Sequence, residues 1–322
     1  MNLRLLLPIG CLALALLQPA AAIERTAKRS FPVQPGASVT VDTHRGAIFI
    51  EQTEGNEVRA EVRMEFPTEQ EEEASKAIEA LELEMEPAGG GVLIRARNPS
   101  ESRAIFTWEE SKRIDLTFRV WVPAGMTVEL STLDGSVTVG NRTGSVVATT
   151  RAGTIFCRRI DGPVRATVES GAIVISRCTG AVDLRVQRGT ITAGTLLGPA
   201  TLRNDSGEIE VGSAYRGITA KTSAGDILVG LQKGFSGETK IEADGGSVLL
   251  RVEPSAALSV TASASWGRVQ TTLPFAVTAG ASGKRNLTAN LNGGGPAVRL
   301  QASGGQVRIE GHSRFFDLKE ED

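Results

Sequence analysis

The sequence contains few aromatic residues and few histidines. Aromatic residues make up 4% of the 322 residues, and the two histidines are His44 and His312. Because these two lie at opposite ends of the sequence, they suggest neither a histidine-based catalytic triad nor a metal site. The low aromatic content, together with 36 glycines, fits many short strands joined by tight turns better than a helical enzyme. We therefore expect an all-β protein.

Cysteine is also scarce. One of the three cysteines, Cys11, lies in the N-terminal segment, which leaves Cys157 and Cys178. Their positions in the repeat described below differ by three residues, or about 10 Å along a strand, whereas a disulfide requires Cα atoms within about 7 Å. We predict that these two cysteines form no disulfide and that both pack in the core.

The chain has neither a strong net charge nor a long apolar run beyond its N-terminus. Its formal net charge of -2 implies no nucleic-acid partner. Residues 1–22 have the features of a secretory signal peptide, because Arg4 precedes an apolar stretch and three alanines end the segment. No later segment approaches the roughly 20 apolar residues that a membrane-spanning helix needs. We expect an exported protein, periplasmic or extracellular, without a transmembrane segment.

Cys11 offers a second interpretation of the same segment, a lipoprotein signal, because Gly10 precedes it. However, Pro8 is a poor residue at the position usually taken by leucine, and Cys11 lies inside the apolar stretch. We therefore favour an ordinary signal peptide over anchoring through Cys11.

Glycine recurs at a fixed interval through the middle of the chain. The first series comprises Gly135, Gly153, Gly171, Gly189, Gly207 and Gly225. A second series, interrupted only by Arg216, lies half a period away and comprises Gly144, Gly162, Gly180, Gly198 and Gly234. Such a period is typical of repeats that bury their apolar faces against their neighbours. We predict a β-solenoid, of the β-roll or β-helix type, whose 18-residue coils each contribute two strands.

Alternating apolar residues support this organisation. Residues two and four positions after each first-series glycine are mostly apolar, as at Ile173 and Ile175, and a period of two directs them inward. We assign residues 127–311 to the solenoid and 312–322 to a flexible tail. Residues 23–126 are predicted to be β-rich, with an acidic helix over 68–86. This region either caps the end of the solenoid or forms a separate α+β subdomain.

Several short motifs follow one another in a characteristic order. They are Phe-Arg-Val-Trp-Val-Pro-Ala-Gly at 118–125, Leu-Asp-Gly-Ser-Val-Thr-Val at 133–139, Ser-Gly-Glu-Ile-Glu-Val at 206–211, Ser-Ala-Gly-Asp-Ile-Leu-Val at 223–229, Gly-Gly-Gly at 293–295 and Gly-Gln-Val-Arg-Ile at 305–309. This order resembles the bacterial putative-adhesin family, a domain of unknown function, over about residues 36–311. The resemblance implies an exported or envelope-associated β-solenoid with no established catalytic residues. Several repeats depart from the usual Ser-Gly-Asp-Ile unit of the family, for example Ala-Gly-Thr-Ile at 152–155.

One outward column of side chains is basic. Counting five positions on from each of the first four members of the second glycine series, and from Arg216, gives Thr149, Thr167, Arg185, Arg203 and Lys221. Because neighbouring strands lie about 4.8 Å apart, the three cations at the end of this series are expected to lie close enough to bind phosphates, anionic glycans or lipid head groups. The alternative is a solvated face on which the cations are balanced by acids of neighbouring columns, namely Glu169, Asp183 and Asp205.

The three tryptophans differ in their sequence context. Trp108 lies in the polar loop 98–113 and is the one placed in a loop suited to recognition, so we add it to the candidate binding residues. Trp121 is predicted to lie in the core. The pattern assigns Trp266 no role.

Neither catalysis nor calcium binding is supported by a constellation of residues. Calcium takes six to eight oxygen ligands, whereas the predicted turns offer single carboxylates such as Asp134 and Asp226. A polysaccharide hydrolase or lyase would need paired carboxylates or basic residues in a groove, and the best outward acids, Glu208 and Glu210, lie two apart on one strand and are interpreted as solvated surface. We therefore expect no cofactor and no enzymatic activity.

Three functions follow in order of preference. The first is an exported surface or envelope protein that binds an anionic glycan, a lipid head group or a protein, as in adhesion. The second is a periplasmic scaffold or sensor that binds a protein partner of the envelope stress response. The third is a polysaccharide hydrolase or lyase.

Overall fold

The computed structural model describes residues 23–66, 70–97 and 114–311, with residues 278–281 described by their backbone alone. The predicted signal peptide, the tail 312–322 and the candidate residue Trp108 lie outside these ranges. The described residues are all-β apart from one helix, and their strands join into a long, mostly parallel sheet. In chain order the elements are β1 (Ile23–Pro32), β2 (Ser38–Arg45), β3 (Ala47–Thr53), β4 (Glu57–Phe66), α1 (Glu71–Ala80), β5 (Glu82–Ala88), β6 (Gly91–Arg97), β7 (Asp115–Pro123), β8 (Thr127–Asp134), β9 (Val137–Val139), β10 (Arg142–Thr143), β11 (Val146–Asp161), β12 (Val164–Cys178), β13 (Val182–Leu196), β14 (Ala200–Ser206), β15 (Ile209–Arg216), β16 (Ile218–Ala224), β17 (Ile227–Ser236), β18 (Thr239–Ala243), β19 (Val248–Val252), β20 (Leu258–Ala264), β21 (Val269–Thr271), β22 (Ala276–Ser282), β23 (Asn286–Leu291), β24 (Ala297–Ala302) and β25 (Val307–Gly311).

Two parallel ladders organise these strands. Ladder A runs through β6, β2, β8, the first halves of β11, β12 and β13, and then β14, β16, β18, β24 and β20. Ladder B runs through β7, β3, β9, the second halves of β11, β12 and β13, and then β15, β17, β19, β25 and β21. Val146 lies opposite Val164 and Val164 opposite Val182, so each residue faces the one that follows it by a full glycine period. The glycine period is therefore the register of the sheet from β8 to β17.

The register departs from the glycine period in the second half of the chain, first where β18 and β19 pair with β16 and β17, and again where β24 and β25 join the sheet. Ile209 lies opposite Ile227, one full period later, but Ile227 lies opposite Val248, which is further along the chain than the period predicts. The pairing of β15 with β17 is irregular at its end, where Arg216 lies opposite Ser236 and hydrogen-bonds to its hydroxyl. The residue that interrupts the second glycine series thus lies at the irregular end of this strand pair.

The core consists of the inward residues of both ladders. Ile173 and Ile175 of ladder B and Leu184 of ladder A are fully buried and belong to one hydrophobic cluster. Burial of a branched aliphatic side chain contributes about 1.5–3 kcal/mol each, so the repeated alternation is the main source of stability. The polar residues between them remain outside, as the period of two predicts.

Neither end of the sheet follows chain order. At one end β2 and β3 lie inside β6 and β7, which come later in the sequence. At the other end the last strands, β24 and β25, lie inside β20 and β21. Antiparallel strands then extend both ends: at one end β5 pairs with β6, β4 with β7 and β1 with β4, and at the other β23 pairs with β20 and β22 with β23. Outer strands of this kind reduce the parallel edge that is open to pairing with other chains.

The acidic helix is shorter than the sequence predicts. Helix α1 ends at Ala80, and residues 82–88 form β5 instead of continuing the helix to 86. Leu83 and Met85 alternate with glutamates, and this period of two allows Met85 to be buried opposite Ile94 of β6. Gln70 occupies the N-cap position and makes no side-chain capping hydrogen bond, and residue 68, where the sequence predicts the helix to begin, lies outside the described residues.

The prediction that Trp121 lies in the core is wrong. Phe118, Val120 and Val122 face the core along β7, so Trp121 points outward and is half-buried. Its indole Nε1 donates a hydrogen bond of 3.0 Å to Glu51 Oε2. The guanidinium of Arg59 lies 5.5 Å from the ring centroid, a distance that fits a cation–π contact.

Candidate binding surface

The basic residues predicted from the sequence are neighbours on ladder A. Arg185 of β13 lies opposite Arg203 of β14, and Arg203 lies opposite Lys221 of β16. We call these three residues the basic column. All three side chains are exposed, because the residues on either side of each point into the core. At the usual strand spacing, about 4.8 Å separates successive backbones, so the three charges form a row across the strands.

The members of the basic column differ in their acidic partners. Arg185 Nε lies 3.5 Å from Asp183 Oδ1, and Lys221 Nζ lies 3.5 Å from Asp244 Oδ2. In the part of the chain that the structure describes, Arg203 forms no ion pair. The pair of Lys221 with Asp244 is exposed on both sides and contributes about 0–1 kcal/mol, so an incoming anion can replace it at low cost. The acids partly balance the column, as the solvated-face alternative predicts, but they leave its central charge without an acidic partner among those residues.

Arg165 belongs to the same surface and is absent from the sequence prediction. It lies opposite Asp183 across β12 and β13, and its Nε is 3.6 Å from Asp183 Oδ2. Asp183 therefore contacts two arginines, Arg165 and Arg185. Its Oδ1 is buried without a hydrogen-bond donor, so the contact with Arg185 is an ion pair without hydrogen-bond geometry. Arg165 lies two residues before Thr167, on the same outward face, and this parity would have identified it.

A groove of about 670 Å³ lies beside the basic column. Two equivalent positions of successive repeats form most of its lining: Ser145, Pro163, Ala181, Pro199 and Gly217 at the first, and Val147, Arg165, Asp183, Thr201 and Thr219 at the second. The residues at the first position are small or cyclic, which leaves room along the strand starts. Five strands about 4.8 Å apart give the groove a length of roughly 19 Å.

The other candidate chemistry does not form a cluster. Glu210 lies between Thr192 and Leu228 across ladder B, so no second carboxylate faces it there. Within the described ranges, no three histidine, cysteine, aspartate or glutamate residues are grouped as metal ligands. The one helix of those ranges is not long and apolar enough to cross a membrane.

A buried cationic residue lies in the core beside the two cysteines. Arg142 is 4% exposed. It lies opposite Ile160 of β11, and Ile160 in turn lies opposite Cys178 of β12, so the three residues share one position of the repeat. Its Nη2 donates to the carbonyl oxygens of Met126 and Thr143, while Nε and Nη1 have no hydrogen-bond acceptor among the described residues. Burial lowers the pKa of this guanidinium to about 10. Sequence analysis missed Arg142 as a core residue, although it lies one full period before Ile160.

Both described cysteines are free and buried, as the repeat predicts. Cys157 lies opposite Ile175 in ladder B, whereas Cys178 lies opposite Ile160, so the two thiols occupy different positions of the repeat. Burial raises the pKa of the Cys157 thiol to about 12, with a smaller contribution from Cys178 that Arg142 partly opposes. Burial also raises the pKa of Cys178. Thiols of this kind are poor nucleophiles at neutral pH.

Replacing Cys157 with valine is expected to reduce the loss of stability at alkaline pH. The thiol ionises near 9.0 when exposed and near 12 when folded, so between these values the unfolded chain releases a proton that the folded chain keeps. Stability therefore falls as pH rises above 9, by about 1.4 kcal/mol at pH 10 from this group alone. Valine occupies the same repeat position at Val139 and Val211 and should fit. Urea unfolding at pH 8 and pH 10 tests this, and an equal fall in both proteins contradicts it.

Comparison with known proteins gives weak similarities. No protein-family model and no curated protein match the chain. A putative adhesin of Bacteroides fragilis is 11% identical, with a TM-score of 0.38, over 88% of this chain and 97% of that one. A putative lipid binding protein of Parabacteroides distasonis is 10% identical, with a TM-score of 0.31, over 88% and 96%. A putative adhesin of Parabacteroides merdae is 7% identical, with a TM-score of 0.28, over 90% and 97%. At these scores the structures assign the chain to no family.

Proposed function

We propose that the chain is an exported, non-catalytic binding protein that holds an anionic polymer of the cell envelope on ladder A. In this proposal ladders A and B are two walls of one β-solenoid, and each 18-residue coil contributes one strand to each wall. The polymer carries phosphate or carboxylate groups, and the basic column is its binding site. No active site is needed, because affinity comes from repeated contacts along the column.

The in-register alignment of three exposed cations is the observation that carries this proposal. Like charges on neighbouring strands repel one another, and an anion that bridges them removes this repulsion. Arg203 at the centre has no acidic partner among the described residues, whereas Arg185 contacts the partly buried Asp183 and Lys221 contacts the exposed Asp244. A bound anion would therefore contact Arg203 first and compete with Asp183 and Asp244 for its neighbours.

The groove favours a polymer over a small ion. It runs across five strands beside the basic column and shares Asp183 with it, because Asp183 lines the groove and contacts Arg185. Arg165 lines the same groove and extends the positive surface by one strand. The charged residues that line the groove are Arg165, Asp183 and Glu238, so the anionic groups of a chain lying along it would face the neighbouring basic column, where several weak contacts act together.

A protein partner is the second candidate, favoured by the outer face of ladder B. Phe156 and Val174 lie opposite each other there, half-buried although they point outward. Leu228 and Leu249 repeat this arrangement further along. Apolar side chains on an outer sheet face are typical of protein contacts, and a periplasmic scaffold or sensor would use them.

Co-sedimentation with detergent-extracted envelope material tests the proposed function, because extraction removes membrane lipid and retains the insoluble anionic polymers. We expect the chain from Ile23 to Asp322 to bind, and the variant Arg185→Glu, Arg203→Glu, Lys221→Glu to bind at least about tenfold more weakly. The binding should also weaken as salt is raised.

A matched control carries the same change in charge at exposed positions elsewhere: Arg158→Glu, Arg177→Glu and Lys233→Glu. Unchanged binding by this control, with both variants retaining the β-sheet circular dichroism spectrum, would assign the loss to the basic column. Equal losses in both variants, or no loss in either, would reject the column as the site.

A further inference from the structure

The C-terminal part of the sheet carries no acidic residue over a long stretch. The chain has 37 aspartates and glutamates, but residues 254–309 contain none. The same stretch contains five cations, Arg268, Lys284, Arg285, Arg299 and Arg308. Arg299 pairs with Glu238 and Arg308 with Glu310, both outside the acid-free stretch. The other three cations are exposed and have no ion pair among the described residues.

Trp266 is the most exposed large apolar side chain of this surface. It is 82% exposed, compared with 41% for Leu133 and 36% for Tyr215 elsewhere in the chain. Val277, at 48%, lies in the same acid-free stretch on β22. An indole this exposed buries little of its apolar surface against the rest of the chain, so the ring is free to enter an interface.

Two adjacent turns bring Trp266 and the three unpaired cations to one place. Trp266 and Arg268 lie in the turn between β20 and β21, while Lys284 and Arg285 lie in the turn between β22 and β23. Backbone hydrogen bonds join the turns, from Ala264 N to Arg285 O at 2.9 Å and from Val269 N to Lys284 O at 3.0 Å. We call Trp266, Arg268, Lys284 and Arg285 the C-terminal tip.

We propose that the C-terminal tip docks on the surface of a membrane that contains anionic phospholipids. Tryptophan is suited to the head-group region, since its ring is largely apolar and its N–H is a hydrogen-bond donor. Lysine and arginine around it attract the negative surface. Docking of this kind needs no spanning segment, because an interfacial residue and a basic cluster act as two weak anchors.

The extent of the acid-free stretch favours a membrane over an acidic protein. Electrostatic forces at physiological ionic strength reach about 8 Å, so a small acidic epitope would be influenced only by charges close to it. A charged plane meets the whole end of the molecule, and every acidic residue at that end would weaken the contact. The absence of acids extends beyond the tip, to β24 and to β25 as far as Ile309, as such a contact requires.

Docking at the tip leaves the basic column accessible. Along ladder A, Lys221 on β16 is separated from β20 by β18 and β24. The two surfaces are thus independent parts of one molecule, and the membrane proposal holds whether or not the column binds a polymer.

Vesicle binding tests the proposal. The chain from Ile23 to Asp322 should sediment with vesicles of phosphatidylcholine mixed with phosphatidylglycerol, and not with phosphatidylcholine alone. Its tryptophan emission should shift to the blue on binding, and this shift should be absent from the Trp266→Ala variant. Lys284→Ala with Arg285→Ala should weaken binding about 25-fold, because each cation near an anionic surface contributes roughly fivefold.

Two control variants separate this site from the others. Tyr215→Ala removes an exposed aromatic residue far from the tip in the sequence and should bind vesicles normally. The basic-column variant should also bind them normally, so that failure of the envelope-polymer proposal leaves this one intact. Any one of three results would overturn the proposal: equal binding to both vesicle types, an unchanged emission shift in Trp266→Ala, or full binding by the Lys284 and Arg285 variant. A protein partner for the tip would then replace the membrane.

Discussion

Replacing Gly189 with alanine is expected to lower the free energy of unfolding by at least about 3 kcal/mol. Gly189 has a φ of +137°, a conformation that side-chain-bearing residues rarely adopt. A Cβ atom at this position would lie 1.7 Å from the carbonyl oxygen of Gly171 in the preceding repeat. That oxygen belongs to a backbone held on both sides by parallel strands, so it cannot move away without breaking the ladder.

A glycine with the same kind of φ but open space around it provides the control. Gly55 has a φ of +87°, and a Cβ built on it would meet nothing within 4 Å. Gly55→Ala should therefore cost only the conformational strain, about 1 kcal/mol. Urea unfolding followed by circular dichroism measures both variants, and costs of similar size would show that contact between repeats is unimportant.

Glycines that recur at the same spacing are required for different physical reasons, which the sequence alone does not distinguish. Gly189 needs both a positive φ and room for the neighbouring backbone. Gly180, in the second series, has no left-handed φ, but a Cβ there would lie 2.4 Å from Gly162. Both requirements select glycine at the same period. Only the structure distinguishes a glycine needed for its positive φ from one needed for close approach of the neighbouring backbone.

The sequence period matches the strand register from β8 to β17, because pairing between successive repeats is what such a period describes. It did not predict the exchange of order at the two ends. The strands β2 and β6 have the same alternation, and either could pair with β8 as far as the pattern shows. Their order depends on contacts between residues far apart in the sequence, which a periodic pattern does not contain.

The sequence period also predicts one part of the candidate site, the alignment of the basic column, but not the groove beside it. Arg185, Arg203 and Lys221 share one position of the repeat, so arithmetic alone brings them together. The groove depends on the absence of large side chains at another position, and the role of Arg165 depends on the shared carboxylate of Asp183. Trp266 lies beyond the regular repeat, so the sequence period does not predict which residues lie beside it in the fold.

Replacing Asn204 with valine is expected to lower the free energy of unfolding by about 3 kcal/mol, because its side chain hydrogen-bonds the backbone at Gly189 and at two further residues. Asn204 is 2% exposed, yet its amide group meets three backbone partners. Its Nδ2 donates to Gly189 O at 2.8 Å and to Glu208 O at 3.2 Å. Its Oδ1 accepts from Ser206 N at 3.2 Å.

Valine fits this site in volume, because Val186 lies directly opposite Asn204 in the preceding strand. The expected cost is therefore electrostatic, since buried backbone groups would lose their partners while packing changes little. Buried threonines perform the same task in other repeats, as Thr222 does by donating to Gly207 O at 3.0 Å. Asn204→Thr should accordingly recover part of the loss by restoring one donor to Gly189 O. If the valine and threonine variants unfold at the same urea concentration as the original chain, the stability of these turns comes from packing and not from the side-chain hydrogen bonds.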